Sequence, residues 1–447
     1  MEKENKMGTM DTRALLLEMS LPIMLSMLIQ ALYNIIDSYF VSQINEAAFT
    51  AVSMAFPIQN TFIGLAVGTS VGTKALMSRY LGEKNLEKVS KVSENALSLT
   101  IFHGILLFVF GLFFMEGYYK SQTDSQEIIS YGIAYSRIVT MMAVGIFFQI
   151  SFEGFLQASG RTKLSMYAQI FGAVINIILD PLLIFGYFGL PKMGVRGAAL
   201  ATVIGQVLGA ILGFILNKKK NPEVRLKGLD LDFKIIGEIY KIAIPSVVLI
   251  TMTSTVIYFL NMILGSFSPT AVAALGAYYK VQSFVFMPVF GLNNGMIPII
   301  AYNYGAKKPK RALDTISFAI KLALAIACLG FLIFQIFPEK LLKIFNASDQ
   351  LLDLGIPALR IISTSFFFVV INFVANAVFQ ALGNGVLALV SSLLRQVVVL
   401  LPAAYFLSLS GNLNLIWLAF PLSELVGFIF STYKLKTYAT YKISNPL

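Results

Sequence analysis

Twelve apolar runs, each at least as long as the roughly 20 residues that a helix needs to cross a bilayer, constrain this chain more than any other feature. The first six lie near residues 14–42, 50–78, 92–116, 127–158, 162–187 and 195–217. The other six lie near 235–265, 270–301, 312–337, 352–382, 385–409 and 413–433. Composition enters only as a check on this reading. With 57% hydrophobic and 13% charged residues, against about 25% charged in soluble domains, the chain has too little polar surface to coat a water-soluble core.

The basic residues punctuate these runs in a regular way. One set of alternate loops holds Lys3, Lys6 and Arg13, then Arg79, Lys84, Lys88 and Lys91, then Arg161 and Lys163. The same side continues with the polar stretch Asn217–Lys234, with Lys307, Lys308, Lys310 and Arg311, and with Lys434, Lys436 and Lys442. The opposite side carries Lys120, Lys192, Arg196, Lys340 and Lys343 and little else. Basic loops stay in the cytoplasm, so both termini are expected there, in a bacterial-type plasma membrane. The net charge of +11 then faces anionic lipid rather than nucleic acid. A single cysteine (Cys328) and a single histidine (His103) leave no disulfide framework and no multi-ligand zinc site. Both sit in apolar runs and are expected to be packed side chains. The polar N-terminal segment lacks a small-residue cleavage site and does not read as a removed signal peptide.

The chain also repeats itself. Pro22 and Pro245 are 223 residues apart (245 − 22 = 223), and the same shift pairs Gln59 with Gln282, Gly68 with Gly291, Gly72 with Gly295, and Gly82 with Gly305. It goes on to pair Lys84 with Lys307, Gly132 with Gly355, Arg137 with Arg360, Gln157 with Gln380, and Gly160 with Gly383. Six spans per copy is an even number, so the copies enter the membrane in the same direction. The expected fold class is an all-α polytopic membrane protein, with 12 transmembrane helices in two parallel-repeat six-helix lobes around a central cleft. The expected boundaries are an N-terminal lobe over 1–217, a cytoplasmic linker over 218–234 and a C-terminal lobe over 235–447. Transporters use this arrangement for alternating access.

Ionisable residues inside the spans carry the chemistry, because an acid at the centre of a bilayer helix costs about 2.5 to 3.5 kcal/mol. Asp37, Glu153 and Asp180 qualify in the first half, and Glu424 in the second. Asn34 precedes Asp37 by three residues and Asn176 precedes Asp180 by four, so each acid is expected to have an amide on its own helical face. Pro181 follows Asp180 and frees a backbone carbonyl. Gln149, Glu153 and Gln157 form an i, i+4, i+8 stripe flanked by Phe148, Phe152 and Phe155, a surface suited to a cationic aromatic molecule. Gln30 and Met287 join Phe152 and the stripe as expected substrate contacts. A purely structural role for each acid, as interhelical glue, is the alternative. The basic residues Lys74, Arg137, Lys280, Lys321, Arg360 and Arg395 are expected to snorkel from span ends to the interface.

Taken in order, the proline in the first span of each half, YNIIDSYFV, RYLGEKN, LQASGRTK matched by FQALGNG, NIILDP and NYGAKKPKRA resemble the multidrug and toxic compound extrusion (MATE) family, in the pattern of its MepA-like bacterial drug exporters. The resemblance covers essentially the whole chain. It implies export of small organic cations against inward flow of protons or sodium, without a cofactor and without enzymatic chemistry. By position it implies that Asp37 and Asp180 are the coupling acids, with Asn176 and Tyr135 in the same cavity and Asn34 beside Asp37. Sodium, if it is the ion, would sit at Asp37 and Asp180. Some branches of the family carry a second acid pair in the other lobe. Here the corresponding spans hold Tyr258, Asn261, Asn372 and Asn376, so coupling is expected in the first lobe alone. Membrane lipid and small organic cations are the expected partners, and a monomer the expected state. A lipid-linked sugar flippase of the same superfamily is the alternative transporter, and an intramembrane enzyme the alternative class. The latter lacks any H-E-x-x-H or P-loop signature in the sequence.

Overall fold

A computed structural model describes residues 5–226, 228–344 and 347–445; Lys3, counted above among the cytoplasmic charges, lies outside them. The described secondary structure is helical, without strands. In the first half the long helices are α1 (Thr12–Ser42), α2 (Glu46–Gly82), α3 (Leu86–Phe113), α4 (Gln126–Met141), α5 (Val144–Ala158), α6 (Thr162–Phe185) and α7 (Val195–Lys220). The second half supplies α8 (Phe233–Gly265), α9 (Pro269–Gly305), α10 (Pro309–Ile336), α11 (Asp349–Ser363), α12 (Phe366–Ala381), α13 (Gly385–Ser408) and α14 (Leu413–Ser444). Among the described residues, ten of these helices are long and apolar enough to cross a membrane singly. The pairs α4–α5 and α11–α12, bent by 44° and 52°, bring the number to as many as twelve.

The two broken spans correct the reading of 127–158 and 352–382 as continuous helices. Neither break contains proline. At each, three-residue turns replace the α-ladder: Ala143 N–H donates to Thr140 O at 3.2 Å, and Thr364 N–H to Ile361 O at 3.3 Å. The breaks also fall at equivalent places in the repeat, and so do the helix ends. Shifting Glu46–Gly82 by 223 gives Pro269–Gly305, and the same shift carries Leu86–Phe113 onto Pro309–Ile336 and Thr162–Phe185 onto Gly385–Ser408. Even the left-handed loop residues recur, Lys84 (φ 57°) as Lys307 (φ 54°) and Gly160 (φ 83°) as Gly383 (φ 78°).

Packing divides the chain into two compact units that do not share the repeat's boundaries. One is Leu25–Val247; the other joins Met1–Met24 to Val248–Leu447. Each division therefore falls inside a long helix, two residues after Pro22 in α1 and two residues after Pro245 in α8. Paired glycines explain how the exchanged segments seat. In the first unit a Cβ on Gly68 would lie 2.6 Å from Val247 Cγ2, and one on Gly72 would lie 2.6 Å from the carbonyl oxygen of Ile239. In the second, a Cβ on Gly291 would lie 2.6 Å from Met24 Cγ, and one on Gly295 would lie 2.5 Å from Ser20 Oγ. Such small residues let helix backbones approach closely where lipid supplies no hydrophobic drive. Polar anchors hold the same segments. Within the second unit Asn303 Nδ2 donates to Met7 O at 3.0 Å, and within the first the Tyr80 hydroxyl donates to Glu238 Oε2 at 2.8 Å.

Asp11 starts α1 by accepting the backbone N–H groups of Ala14 (3.0 Å) and Arg13 (3.1 Å). The Ala14 N–H is the main reason its carboxyl is held below the ordinary value of 3.8. The cap is thus fully formed above that value and is lost only as pH falls through the lower folded one. His103 is buried, its Nε2 2.9 Å from the Tyr240 hydroxyl, whereas Cys328 is exposed on α10 rather than packed.

Gly72→Val and Gly295→Val should each destabilise the protein by about 1 to 3 kcal/mol, because the new Cβ meets backbone or buried side-chain atoms. Thermal unfolding in detergent checks this, and unchanged melting in both variants would show that the helices separate freely at these crossings.

Candidate functional site

Inside the unit Leu25–Val247, polar residues from four helices come together at one cavity and, for Asp37 and Asp180, beside it. Gln30, Tyr33 and Asp37 recur at steps of three and four along α1 and share a face. Gln169, Asn176 and Asp180 do the same on α6, as Gln149 and Glu153 do on α5 and Thr202 and Gln206 on α7. Helices α6 and α7 close on each other through Gly172 and Gly205, where an added Cβ on either would lie 2.8 or 2.6 Å from the other's carbonyl oxygen. The cavity measures about 50 Å³ and is lined by Gln30, Tyr33, Gln149, Glu153, Gln169, Asn176, Thr202 and Gln206, with Ile146, Ile150, Gly172 and Ala173. That volume holds a few water molecules or a hydrated ion. No lining residue is basic.

Its polar groups are tied to one another. Gln149 Nε2 donates to Glu153 Oε1 at 3.0 Å, and Gln169 Nε2 donates to Gln30 Oε1 at 3.2 Å. Asn176 Nδ2 lies 3.5 Å from Asp180 Oδ1 and 3.4 Å from Thr202 Oγ1. Asp180 is fully buried, Asn176 and Glu153 nearly so, and Asp37 half-buried. The carboxyls of Asp37 and Asp180 come within hydrogen-bonding reach of each other. Tyr135 is buried nearby, and its hydroxyl accepts from Gln59 Nε2 at 3.2 Å.

One feature decides what this arrangement can do. Asp37 Oδ1, Asp180 Oδ2 and Asn176 Oδ1 are buried without a hydrogen-bond donor among the described residues. All three are acceptors. Buried acceptors left unpaired cost free energy comparable to a lost hydrogen bond, and two touching carboxyls need a positive charge between them. A proton or a small cation meets both demands; an anion meets neither. Among the described residues no group of three or more His, Cys, Asp or Glu side chains is placed to hold a metal.

Several expected residues are placed elsewhere. Asn34 is exposed, its side chain without a hydrogen bond to Asp37 among the described residues, because Gln30 and Tyr33 occupy the inward face. Gln157 does not line the cavity; it accepts from Lys74 Nζ at 3.3 Å and donates to Ser165 Oγ at 3.0 Å. Phe152 packs with Phe148 (ring centroids 5.8 Å) and Phe214 (5.5 Å) away from the lining. Met287 belongs to the other unit. Lys74 and Arg395 are buried at 3% and 5% exposure, so they do not snorkel. Sequence reasoning overlooked Tyr33, Gln169, Thr202 and Gln206. The signal was present: Tyr33 lies between Gln30 and Asp37 at helical spacing, and Thr202 and Gln206 are an i, i+4 polar pair in an otherwise apolar span.

The family model described as MatE matches residues 22–182 and 245–406, two stretches whose starts are again 223 apart. The chain belongs to the MatE family. Multidrug export protein MepA of Staphylococcus haemolyticus is 27% identical over 406 residues, covering 90% of this chain and 88% of that protein. Its counterpart in Staphylococcus aureus is 27% identical over 409 residues, covering 90% and 89%. A crystal structure of a MATE protein in complex with MaD3S superposes with a TM-score of 0.89 at 24% identity, over 98% of this chain and 99% of that one. An outward-facing multidrug resistance MATE family transporter gives 0.89 at 23%, over 98% and 99%. MatE membership makes the protein a multi-pass membrane transporter and not an enzyme.

Asp37→Asn should leave the melting temperature in detergent equal to or above that of the parent, by up to about 1 to 2 kcal/mol of stability. The new amide gives Asp180 the donor it lacks. A clear loss of stability would mean instead that the paired carboxyls hold the helices together.

Proposed function

We propose that this MatE protein exports small organic cations, driven by inward flow of protons or sodium that bind at Asp37 and Asp180. The observation that carries the reading is the set of three orphaned acceptor oxygens on Asp37, Asn176 and Asp180, adjoining a cavity that presents Glu153 and no basic group. A site of this polarity suits a cation as ion and a cation as cargo, and the names of the staphylococcal relatives, multidrug export proteins, support export of small molecules. The absence of basic lining weighs against a pyrophosphate-bearing lipid as cargo.

In the proposed cycle, cation uptake neutralises the carboxyl pair, and the cargo loses the negative site that held it. The volume of about 50 Å³ is too small for a drug, so this conformation fits a stage without cargo. Cargo loading then requires the surrounding helices to part, with α1 bending near Pro22, where the proline removes a backbone donor. Each charge moved inward down 100 mV yields about 2.3 kcal/mol. Alternating access would proceed between repeats spanning 1–217 and 235–447, joined by a cytoplasmic linker over 218–234, in a monomer with both termini in the cytoplasm of a bacterial-type plasma membrane. Asn34 plays no part in this site as built; Tyr135 bounds it from the α4 side.

Efflux of a fluorescent organic cation from vesicles tests the coupling directly. Asp37→Asn and Asp180→Asn should each lower gradient-driven export at least tenfold, about 1.4 kcal/mol or more, while dye binding persists. Collapsing the proton and sodium gradients separately identifies the ion. Normal export by both variants would return the acids to a packing role. Glu153→Gln should weaken binding of dicationic dyes more than of zwitterionic ones, and an equal loss for both would remove Glu153 from cargo recognition. Labelling from outside intact cells should miss tags placed in 218–234; if those tags react, the orientation is inverted.

A further inference from the structure

The repeat gives each residue of the first half's cavity a counterpart in the second. Gln149 and Glu153 correspond to Asn372 and Asn376 on α12, and Gly172, a lining residue set against Gly205, corresponds to Arg395 on α13 (395 − 223 = 172). In the second unit that arginine is buried at 5% exposure, and its Nη1 donates to Glu424 Oε1 on α14. Asn372 Nδ2 donates to Glu424 Oε2 at 2.9 Å and to its carbonyl oxygen at 3.2 Å. The guanidinium carbon lies 5.5 Å from the centroid of the Phe373 ring. A Cβ on Gly427 would come within 3.0 Å of Arg395 Cδ and 2.9 Å of Asn372 Nδ2, so this glycine makes the room that the arginine needs. Around the guanidinium the helix widens into a π-turn over Leu394–Leu400, a distortion often found where a side chain has a function; the equivalent stretch of α6 is regular.

We propose that the second unit contains a cation-binding site equivalent to the first unit's cavity and permanently filled by its own ligand, the guanidinium of Arg395, with Glu424, Asn372 and Phe373 as the receptor. The inventory supports a receptor rather than a simple ion pair. Asn372, which shares Glu424 with the guanidinium, keeps its Oδ1 buried without a donor among the described residues, and Arg395 Nε is likewise buried without an acceptor, so the polar surround offers more than one ion-pair contact. A carboxylate, an amide and an aromatic face together recognise a planar organic cation, and a guanidinium most of all. Tethering it to the chain keeps this half from exchanging cations with either side of the membrane. The inference stands on the second unit alone and does not depend on the coupling role of the first.

Removing the tethered ligand should create a binding site for a free one. Purified Arg395→Ala should melt several degrees below the parent, and millimolar ethylguanidinium chloride should restore most of that loss, while equal ethylammonium chloride or sodium chloride does not. The restoration should vanish in Arg395→Ala/Glu424→Gln, which lacks the carboxylate, and ethylguanidinium should not stabilise the parent. Equal stabilisation of all three proteins, or none of any, overturns the proposal. If Arg395→Ala does not survive extraction, the readout becomes the yield of folded protein from membranes extracted with each salt. A yield that ethylguanidinium fails to raise above the other cations also overturns it.

Discussion

Two carboxyls brought together inside a helix bundle need a positive charge between them, and much of the first unit follows from that requirement. Water is the usual source of compensation, and a lipid-covered bundle excludes it. Asp37 and Asp180 are instead surrounded by amides and hydroxyls, and the Asn176 amide is shared between Asp180 and Thr202. Such neighbours lower the cost of an exposed dipole without neutralising a charge. The compensation is left incomplete, with three acceptor oxygens open. A structural polar seam would close them, whereas the proposed cation site would require them open.

The second unit shows the same geometry closed. Its stripe carries Asn376 where the first half has Glu153, and its buried acid, Glu424, stands where the first half has Ala201 and is paired with Arg395 from within the chain. A buried ion pair of this kind adds little net stability, because desolvation consumes most of the attraction, but losing one partner is costly. Its presence is therefore better explained by what it fills than by what it stabilises. The two halves keep equivalent frameworks whose helix ends coincide after a shift of 223, such as Glu46–Gly82 with Pro269–Gly305, and on the proposal above they differ in that one pocket is open and the other holds an arginine.

The fold was legible in the sequence because bilayer physics leaves so few choices: long apolar runs, alternating basic loops and one offset specified the helices and their repeat. The broken spans were not legible, since Met142–Ala143 and Thr364–Ser365 carry no proline and the helix yields there to three-residue turns. At the site, spacing along a single helix worked where the partner lay on the same face, as with Asn176 and Asp180. It failed for Asn34, which sits three residues from Asp37 yet is exposed, because a step of three turns a side chain 60° away and other residues already fill the inward face. Residues joined only through tertiary packing, Thr202 with Asn176 or Gln30 with Gln169, needed the structure. So did Arg395, whose burial no span boundary announces.

Helix α1 ties the site to the rest of the molecule. Its residues up to Met24 pack in one unit and those from Leu25 onward in the other, while Gln30, Tyr33 and Asp37 all stand on the later part. Pro22 lies just before the change and contributes no backbone N–H to the helical ladder, so the helix bends most easily close to where its packing changes. The earlier part is held by Gly291, Gly295 and the polar contacts around Met7. In the proposed cycle, an ion taken up at Asp37 would act on the later part alone, and the change would be taken up by bending near Pro22 rather than by sliding of the whole helix. The repeat places the same proline and the same glycine seat on α8, but there no acid lines the following turns: Tyr258 and Asn261 stand where the first half carries Ile35 and Ser38. Of the two equivalent prolines, only Pro22 is followed by an acid on its own helix.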